Sequence, residues 1–336
     1  LEVQKDARKN LDKYQKDQFT AKSVIVIDEG SLVSHSHYEL ILSKIEKAGA
    51  KLLIVKDDAQ NKAIHGADIS AAMDNYTDSP ALKTVQRQRE PWMRKASEAF
   101  NDHRVEEGLL AYEDKGCIHY YDTFEETKEG FVESYLKRQS ADKISLGLTF
   151  LNTDVRDLNN GILKGLQEKG LVQKETFSLA GRTLALGARV MFTSNDNTGW
   201  KVDTLEDKGS SLKGVKNGTL GTLEFFNPET QQIRVRLERD GRLVGFNTPE
   251  KIKQGKFYDA LELGYVMTTL KSQGETVDPN DYLPTPHETA NSMLVGMTRH
   301  TDDAQVHVWK DHASDLEASP RWLVVAFIRV LVLIIV

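Results

Sequence analysis

The sequence lacks most of what staples, anchors or coats a protein. One cysteine, Cys117, stands in 336 residues, which excludes an internal disulfide framework and a cysteine-built zinc site. The nine histidines show no metal-ligand spacing; His35 and His37 stand two apart, which does not bring both onto one helix face. Positive charge is not in excess. The net charge of −6 argues against coating nucleic acid by bulk electrostatics, although a local groove can still grip one strand. A loop of the form G-x-x-x-x-G-K-[ST], which cradles phosphates with backbone N–H groups and a lysine, is absent. The apolar stretch Trp322–Val336 is broken by Arg329 and is shorter than the ~20 residues of a membrane span. It reads as a buried strand or an out-of-frame tail, and no membrane partner is expected. A single thiol and no signal-peptide pattern give the expectation of a cytoplasmic protein. The opening at Leu1 gives the expectation of a fragment or a non-standard start.

What is present describes an ordinary globular protein. Apolar residues make up 39% and charged residues 28%, enough to bury a core in two or three domains. Residues 1–20 are polar with helix-forming composition. Ser23–Ile27 is a β-branched run ending in Asp28 and Glu29, the pattern of a buried parallel strand. A helix over Ser36–Ala48 and a strand over Lys51–Val55 complete a strand–helix–strand unit, whose strands should lie parallel. Residues 81–140 read as helices. Ile144–Leu151 reads as a strand and Thr153–Lys169 as a helix. From Leu184 to Phe246 the texture changes to short alternating runs separated by N-D-N, K-N-G, N-P-E and R-D-G, the signature of a small antiparallel barrel or sandwich. Strand character returns at Leu263–Thr269 and Gln305–Trp309, with a helix near Glu288–Met297 between them.

Several of these segments end in groups suited to nucleotide or strand chemistry. Asp28 and Glu29 follow a strand, where open α/β sheets bind ligands; Asp28 suits Mg²⁺ and Glu29 suits polarising a water. Taken singly, the pair also reads as a solvated strand end. Gln60, in K-L-L-I-V-K-D-D-A-Q, suits sensing a γ-phosphate or is a surface loop residue. Arg87 and Arg299 offer planar forks for phosphoryl oxygens, or are solvated face residues. Thr268, Thr269, Lys271, Ser272, Gln273 and Gly274 form a polar turn after a strand. Its hydroxyls and close backbone suit a sugar–phosphate chain gripped without sequence readout; a plain polar turn with a glycine cap is the alternative.

Taken in order, the segments resemble RecD-like superfamily 1B helicases, and most of all the helicase half of conjugative-transfer relaxases of the TraA/TraI type. V-I-V-I-D-E-G-S-L-V resembles motif II, I-V-K-D-D-A-Q motif III and T-V-Q-R-Q-R-E motif IV. M-T-T-L-K-S-Q-G-E-T-V-D resembles motif V and S-M-L-V-G-M-T-R-H motif VI. Lys56 stands where motif III usually has Gly, and Leu270 where motif V often has His. L-N-T-D-V-R-D-L-N resembles the opening of a second motor domain.

The resemblance implies an α/β fold of P-loop NTPase (RecA-like) domains. It implies a partial first motor domain at 1–80, with motifs II and III, and the start of the second at 81–183. An SH3-like β-barrel insert is expected at 184–250, the remainder of the second motor domain at 251–320, and an apolar tail at 321–336. It implies Asp28 as a Mg²⁺ ligand, Glu29 as acid–base, Gln60 as γ-phosphate sensor, Arg87 and Arg299 as γ-phosphate arginines, and Thr268–Gly274 as the strand-contacting turn. ATP and Mg²⁺ are the implied cofactors, held weakly here, and single-stranded DNA the implied partner. A separate upstream polypeptide would carry the missing loop and a relaxase domain. The expectation is a fragment of an ATP-dependent 5′→3′ DNA helicase of conjugation, unable alone to hydrolyse ATP; the alternative is a non-catalytic remnant or single-stranded-DNA-binding module.

Overall fold

A run of Val and Ile forms strand β1 (Val24–Ile27), since branched side chains sit well on a pleat. The computed structural model describes residues 19–57, 59–60, 69–74, 76–77, 80–81, 84–138, 145–195, 215–229, 232–247, 259–285 and 288–310. The helix-forming segment before residue 19 and the apolar tail at 322–336 lie outside them. A 3-10 turn at Gly30–Leu32 leads from β1 to helix α1 (His35–Ala48). Gly49 ends α1 at φ 62°, a left-handed cap that glycine adopts without a Cβ clash. Strand β2 (Lys51–Ile54) then pairs parallel to β1, with Val26 opposite Leu53, as the strand–helix–strand pattern predicts.

After the short helix α2 (Ile69–Met73) come α3 (Pro91–Asn101) and α4 (Val105–Glu113). Pro91 occupies the first turn of α3, where a missing N–H costs no hydrogen bond. Met93, Ala96, Ala99 and Phe100 form its buried stripe. The helical reading of 81–140 needs two corrections: residues 84–90 form no helix, and Ile118–Tyr121 is strand β3. Gly116, at φ 68°, turns the chain out of the preceding helix, and I-H-Y-Y suits a half-buried edge. Helix α5 (Phe124–Arg138), strand β4 (Leu146–Thr149) and helix α6 (Asn152–Glu168) follow.

Six strands come next: β5 (Thr176–Leu179), β6 (Arg182–Ala185), β7 (Arg189–Phe192), β8 (Leu220–Asn227), β9 (Gln232–Leu237) and β10 (Leu243–Asn247). The chain closes with β11 (Leu261–Leu263), β12 (Val266–Thr268), β13 (Asn280–Leu283), α7 (Ala290–Thr298) and β14 (Ala304–Trp309). β5 and β6 pair as a hairpin, and a five-stranded antiparallel sheet runs in the order β10-β9-β8-β7-β11. A parallel sheet runs in the order β12-β4-β13-β14-β3.

The run read as a single strand over Leu263–Thr269 is two strands in two sheets. Gly264 donates to the Arg189 carbonyl at 3.0 Å, while Tyr265 and Val266 donate to Oδ1 of the buried Asn159 at 3.0 and 3.1 Å. Asn159 Nδ2 returns a bond to the Val266 carbonyl at 2.9 Å, so one side chain of α6 replaces the ladder where the chain changes sheet. One apolar core joins α5 and α6 to the antiparallel strands; a second joins α3, α4 and α7 to the parallel sheet.

Candidate functional site

Segments far apart in sequence meet at the end of β1. Glu29 sits there in left-handed backbone, φ 52°, and its Oε2 accepts from Gln273 Nε2 at 2.8 Å. Asp28, exposed beside it, accepts the Glu29 N–H at 3.0 Å. Beyond β2, Gln60 Nε2 donates to Asp57 at 2.6 Å, and Gln60 Oε1 accepts from Arg299 at 3.3 Å. The Gln60 carbonyl accepts from Asn291 at 2.8 Å, which ties this loop to α7.

Two arginines close the cluster. Arg299 caps the C-terminus of α7 and is 1% exposed. Arg87 donates to Thr276 Oγ1 at 2.9 Å and to the Thr298 carbonyl at 3.0 Å. Burial, then the like charge of Arg87, lowers the Arg299 pKa to about 10, against the pull of Glu29, Asp57 and Glu275. Burial lowers that of Arg87, with Glu29 opposing. The Nε of Arg299 meets no acceptor among the described residues. A buried guanidinium with an unused donor beside a half-buried one is a setting in which an added anion gains charge-assisted hydrogen bonds.

The turn after β12 divides by exposure. Leu270, Lys271 and Gly274 are exposed, Gly274 at φ 85°. Thr269 and Ser272 are buried and bonded inside: Thr269 Oγ1 lies 2.5 Å from Ser292 Oγ, and Ser272 Oγ donates to the Thr269 carbonyl at 2.8 Å. Thr268, also buried, accepts the Lys271 N–H at 3.3 Å. The structure thus gives Thr268, Thr269 and Ser272 the task of shaping the turn, and leaves Lys271 and Gly274 to face outward.

Sequence reasoning assigned no role to Asp57, Gln88, Glu288 or Ser292. Gln88 is buried and donates to the Thr298 and His300 carbonyls, each at 3.0 Å. The signal for Glu288 and Ser292 is their i, i+4 spacing. No group of three or more His, Cys, Asp or Glu among the described residues is placed to hold a metal. Mg²⁺ keeps several waters and takes one or two carboxylates beside substrate phosphates; exposed Asp28 fits as one such ligand.

A family profile described as an AAA domain matches residues 3–123. The conjugal transfer protein TraA of Agrobacterium fabrum is 30% identical over 295 residues, 87% of this chain and 25% of that protein. The TraA of Rhizobium radiobacter is 29% identical over 304 residues, with 87% and 25% covered. The chain is homologous to a segment of conjugal transfer TraA proteins. It spans about a quarter of the length of these TraA relatives. Among solved structures, Bacteroides Pif1 bound to ssDNA aligns with a TM-score of 0.55 at 17% identity, covering 91% of this chain and 75% of that one. The Bacteroides Pif1 complex with ADP-AlF3 and ssDNA gives 0.52 at 18% identity, with the same coverage. At these identities the likeness is one of fold, so TraA-like sequence and a Pif1-like α/β architecture meet in one chain. No helix among the described residues is long and apolar enough to cross a membrane.

Proposed function

We propose that this chain is a fragment of an ATP-dependent 5′→3′ DNA helicase of RecD-like superfamily 1B type that acts in conjugative DNA transfer. One observation carries the reading: Glu29, Gln60, Arg87, Gln273 and Arg299 come from five separate segments and meet where the half-buried Arg87 stands beside the buried Arg299, whose Nε has no acceptor among the described residues. Chance motifs have no reason to converge. In this reading Asp28 ligates Mg²⁺, Glu29 orients the attacking water and Gln60 senses the γ-phosphate. Arg87 and Arg299 neutralise charge on the transferring group, which is where such motors place their arginines. Gln273 joins the strand-contacting turn to Glu29. Mg²⁺-bound ATP, when present, supplies the phosphoryl group and its electrophilic activation.

The same reading divides the chain into a partial motor domain at 1–80 and a second motor domain from 81 to 320. The antiparallel strands near 184–250 form an SH3-like insert in the second. A separate polypeptide carrying the phosphate loop is the expected partner for turnover. The absent loop supports a second reading, a single-stranded-DNA-binding module without hydrolysis. Fluorescence anisotropy with a labelled single-stranded oligonucleotide at two salt concentrations tests the DNA component shared by both. Binding is expected in the range of about 10⁻⁴–10⁻⁶ M and weaker at higher salt. No binding at low salt would remove the strand-contact reading of Thr268–Gly274; tight, salt-independent binding would mean that the groove lies elsewhere.

A further inference from the structure

Glu288 is a carboxyl group at 2% exposure that faces hydroxyl and amide groups. From α7, Ser292 Oγ donates to its Oε1 at 2.6 Å. Thr285 N–H points at its Oε2 at 3.4 Å, and Tyr282 of β13 and Thr269 after β12 also face it. The groups that bond to it are hydroxyls and a backbone amide. Burying a carboxyl group is costly, and such a group needs a reason to be there.

We propose that Glu288 is a positioning residue: through Ser292 it holds Thr269, and with it the Thr268–Gly274 turn, in the shape that grips a DNA strand. This rests on the reading of that turn as a strand contact. Ser292 has one proton and gives it to Glu288, so its oxygen accepts the Thr269 hydroxyl at 2.5 Å. The chain of donors runs Thr269 to Ser292 to Glu288. Thr269 is the joint of the turn. Its N–H is held by the Thr149 carbonyl at 2.9 Å and its own carbonyl takes the Ser272 hydroxyl at 2.8 Å. Ser292 and Arg299 stand seven residues apart on one helix, which puts them on one face. The same relay therefore links the turn to the helix that carries the buried arginine.

An ionised carboxylate only accepts, so it fixes the direction of the chain; a protonated one can also donate, and both directions then fit. Burial raises the Glu288 pKa to about 7, so the two states exchange near neutrality. The test is anisotropy of a labelled oligothymidylate with the whole chain from pH 6 to 8.5 at low salt. Wild-type affinity is expected to rise about fivefold through pH 7, the worth of roughly one ordered hydrogen bond. Glu288→Gln should be flat across the range, and Ser292→Ala weaker throughout, with Ser292→Thr restoring the profile. A Glu288→Gln curve that superimposes on the wild type overturns the proposal. Loss of DNA binding at every pH would instead sink the strand-contact reading. Hydrogen exchange at the amides of 270–274, corrected for intrinsic rate, then decides the relay without DNA. A step near pH 7 in the wild type, absent in Glu288→Gln, supports it; identical profiles overturn it.

Discussion

Arg299 holds a cation at 1% exposure, beside a second arginine and with an unused Nε donor. A side chain that served packing would not be arranged this way. Arg299→Met removes a desolvated charge whose compensation is incomplete, and replacing such charges by apolar groups is often neutral or stabilising. The variant should unfold in urea at the wild-type free energy or up to about 1 kcal/mol above it, while losing any response to nucleotide; a loss of several kcal/mol would make Arg299 structural. Glu288 carries the opposite signature. Its carboxyl titrates near 4.5 when unfolded and at about 7 when folded. Between those values the native state binds the extra proton, so this group's contribution is complete below 4.5 and is lost as pH rises through 7. The stability gap between Glu288→Gln and wild type should therefore shift by roughly 3 kcal/mol in favour of the variant between pH 4.5 and 8, as read by urea unfolding at each pH. A gap independent of pH would refute the assignment.

Among the elements, β13 shows how a central strand can be polar. Asn280 Nδ2 donates to the Gly296 carbonyl at 2.9 Å. Asp281 pairs with Arg138 of α5 and lies 2.9 Å from His307 Nε2 of β14. Asp281→Ala takes one carboxylate from the half-buried Arg138, which keeps Asp303 and the Asn280 carbonyl, and leaves the buried His307 Nε2 without its acceptor, a change that costs about 1–3 kcal/mol. Chemical denaturation should show that loss, and a change under 1 kcal/mol would mean that the pairing is idle. The same strand explains what the sequence conceals. N-D-Y-L has no strand pattern, because its stabilising partners lie at 138, 296 and 307. β1, α1 and β2 were legible because their signals are local: a branched run, a glycine cap and a second branched run. The step at Gly264–Tyr265 was hidden because the residue that makes it possible, Asn159, belongs to a different helix. At the site, Glu29, Gln60, Arg87 and Arg299 could be named from motif order. The Thr269–Ser292–Glu288 chain could not: the i, i+4 spacing of Glu288 and Ser292 is common to many helix starts, and only folding brings Thr269 to them.

At the scale of the chain, a cluster read as suited to phosphoryl chemistry stands in a sequence where no G-x-x-x-x-G-K-[ST] loop occurs. The consequence can be argued from magnitudes. Arginine contacts to a transferring phosphoryl group are worth about 10³–10⁵ in rate, but they act on a nucleotide that is already held. Holding is the work of the backbone N–H groups and lysine of the absent loop. In the proposed reading, Arg87 and Arg299 alone would offer a triphosphate two cations on one side, with no cradle to fix its γ-phosphorus in line with a water near Glu29. Orientation contributes about 7–11 kcal/mol to such reactions, and two side chains on one side of an unheld nucleotide do not supply it. The isolated chain is therefore expected to hydrolyse ATP at a rate indistinguishable from buffer, with or without single-stranded DNA, in a phosphate-release assay. A polypeptide supplying the loop should restore turnover, and Glu29→Gln should abolish it again. DNA-stimulated hydrolysis by the chain alone, lost in Glu29→Gln, would show that these residues hold a nucleotide by means other than a glycine-rich cradle.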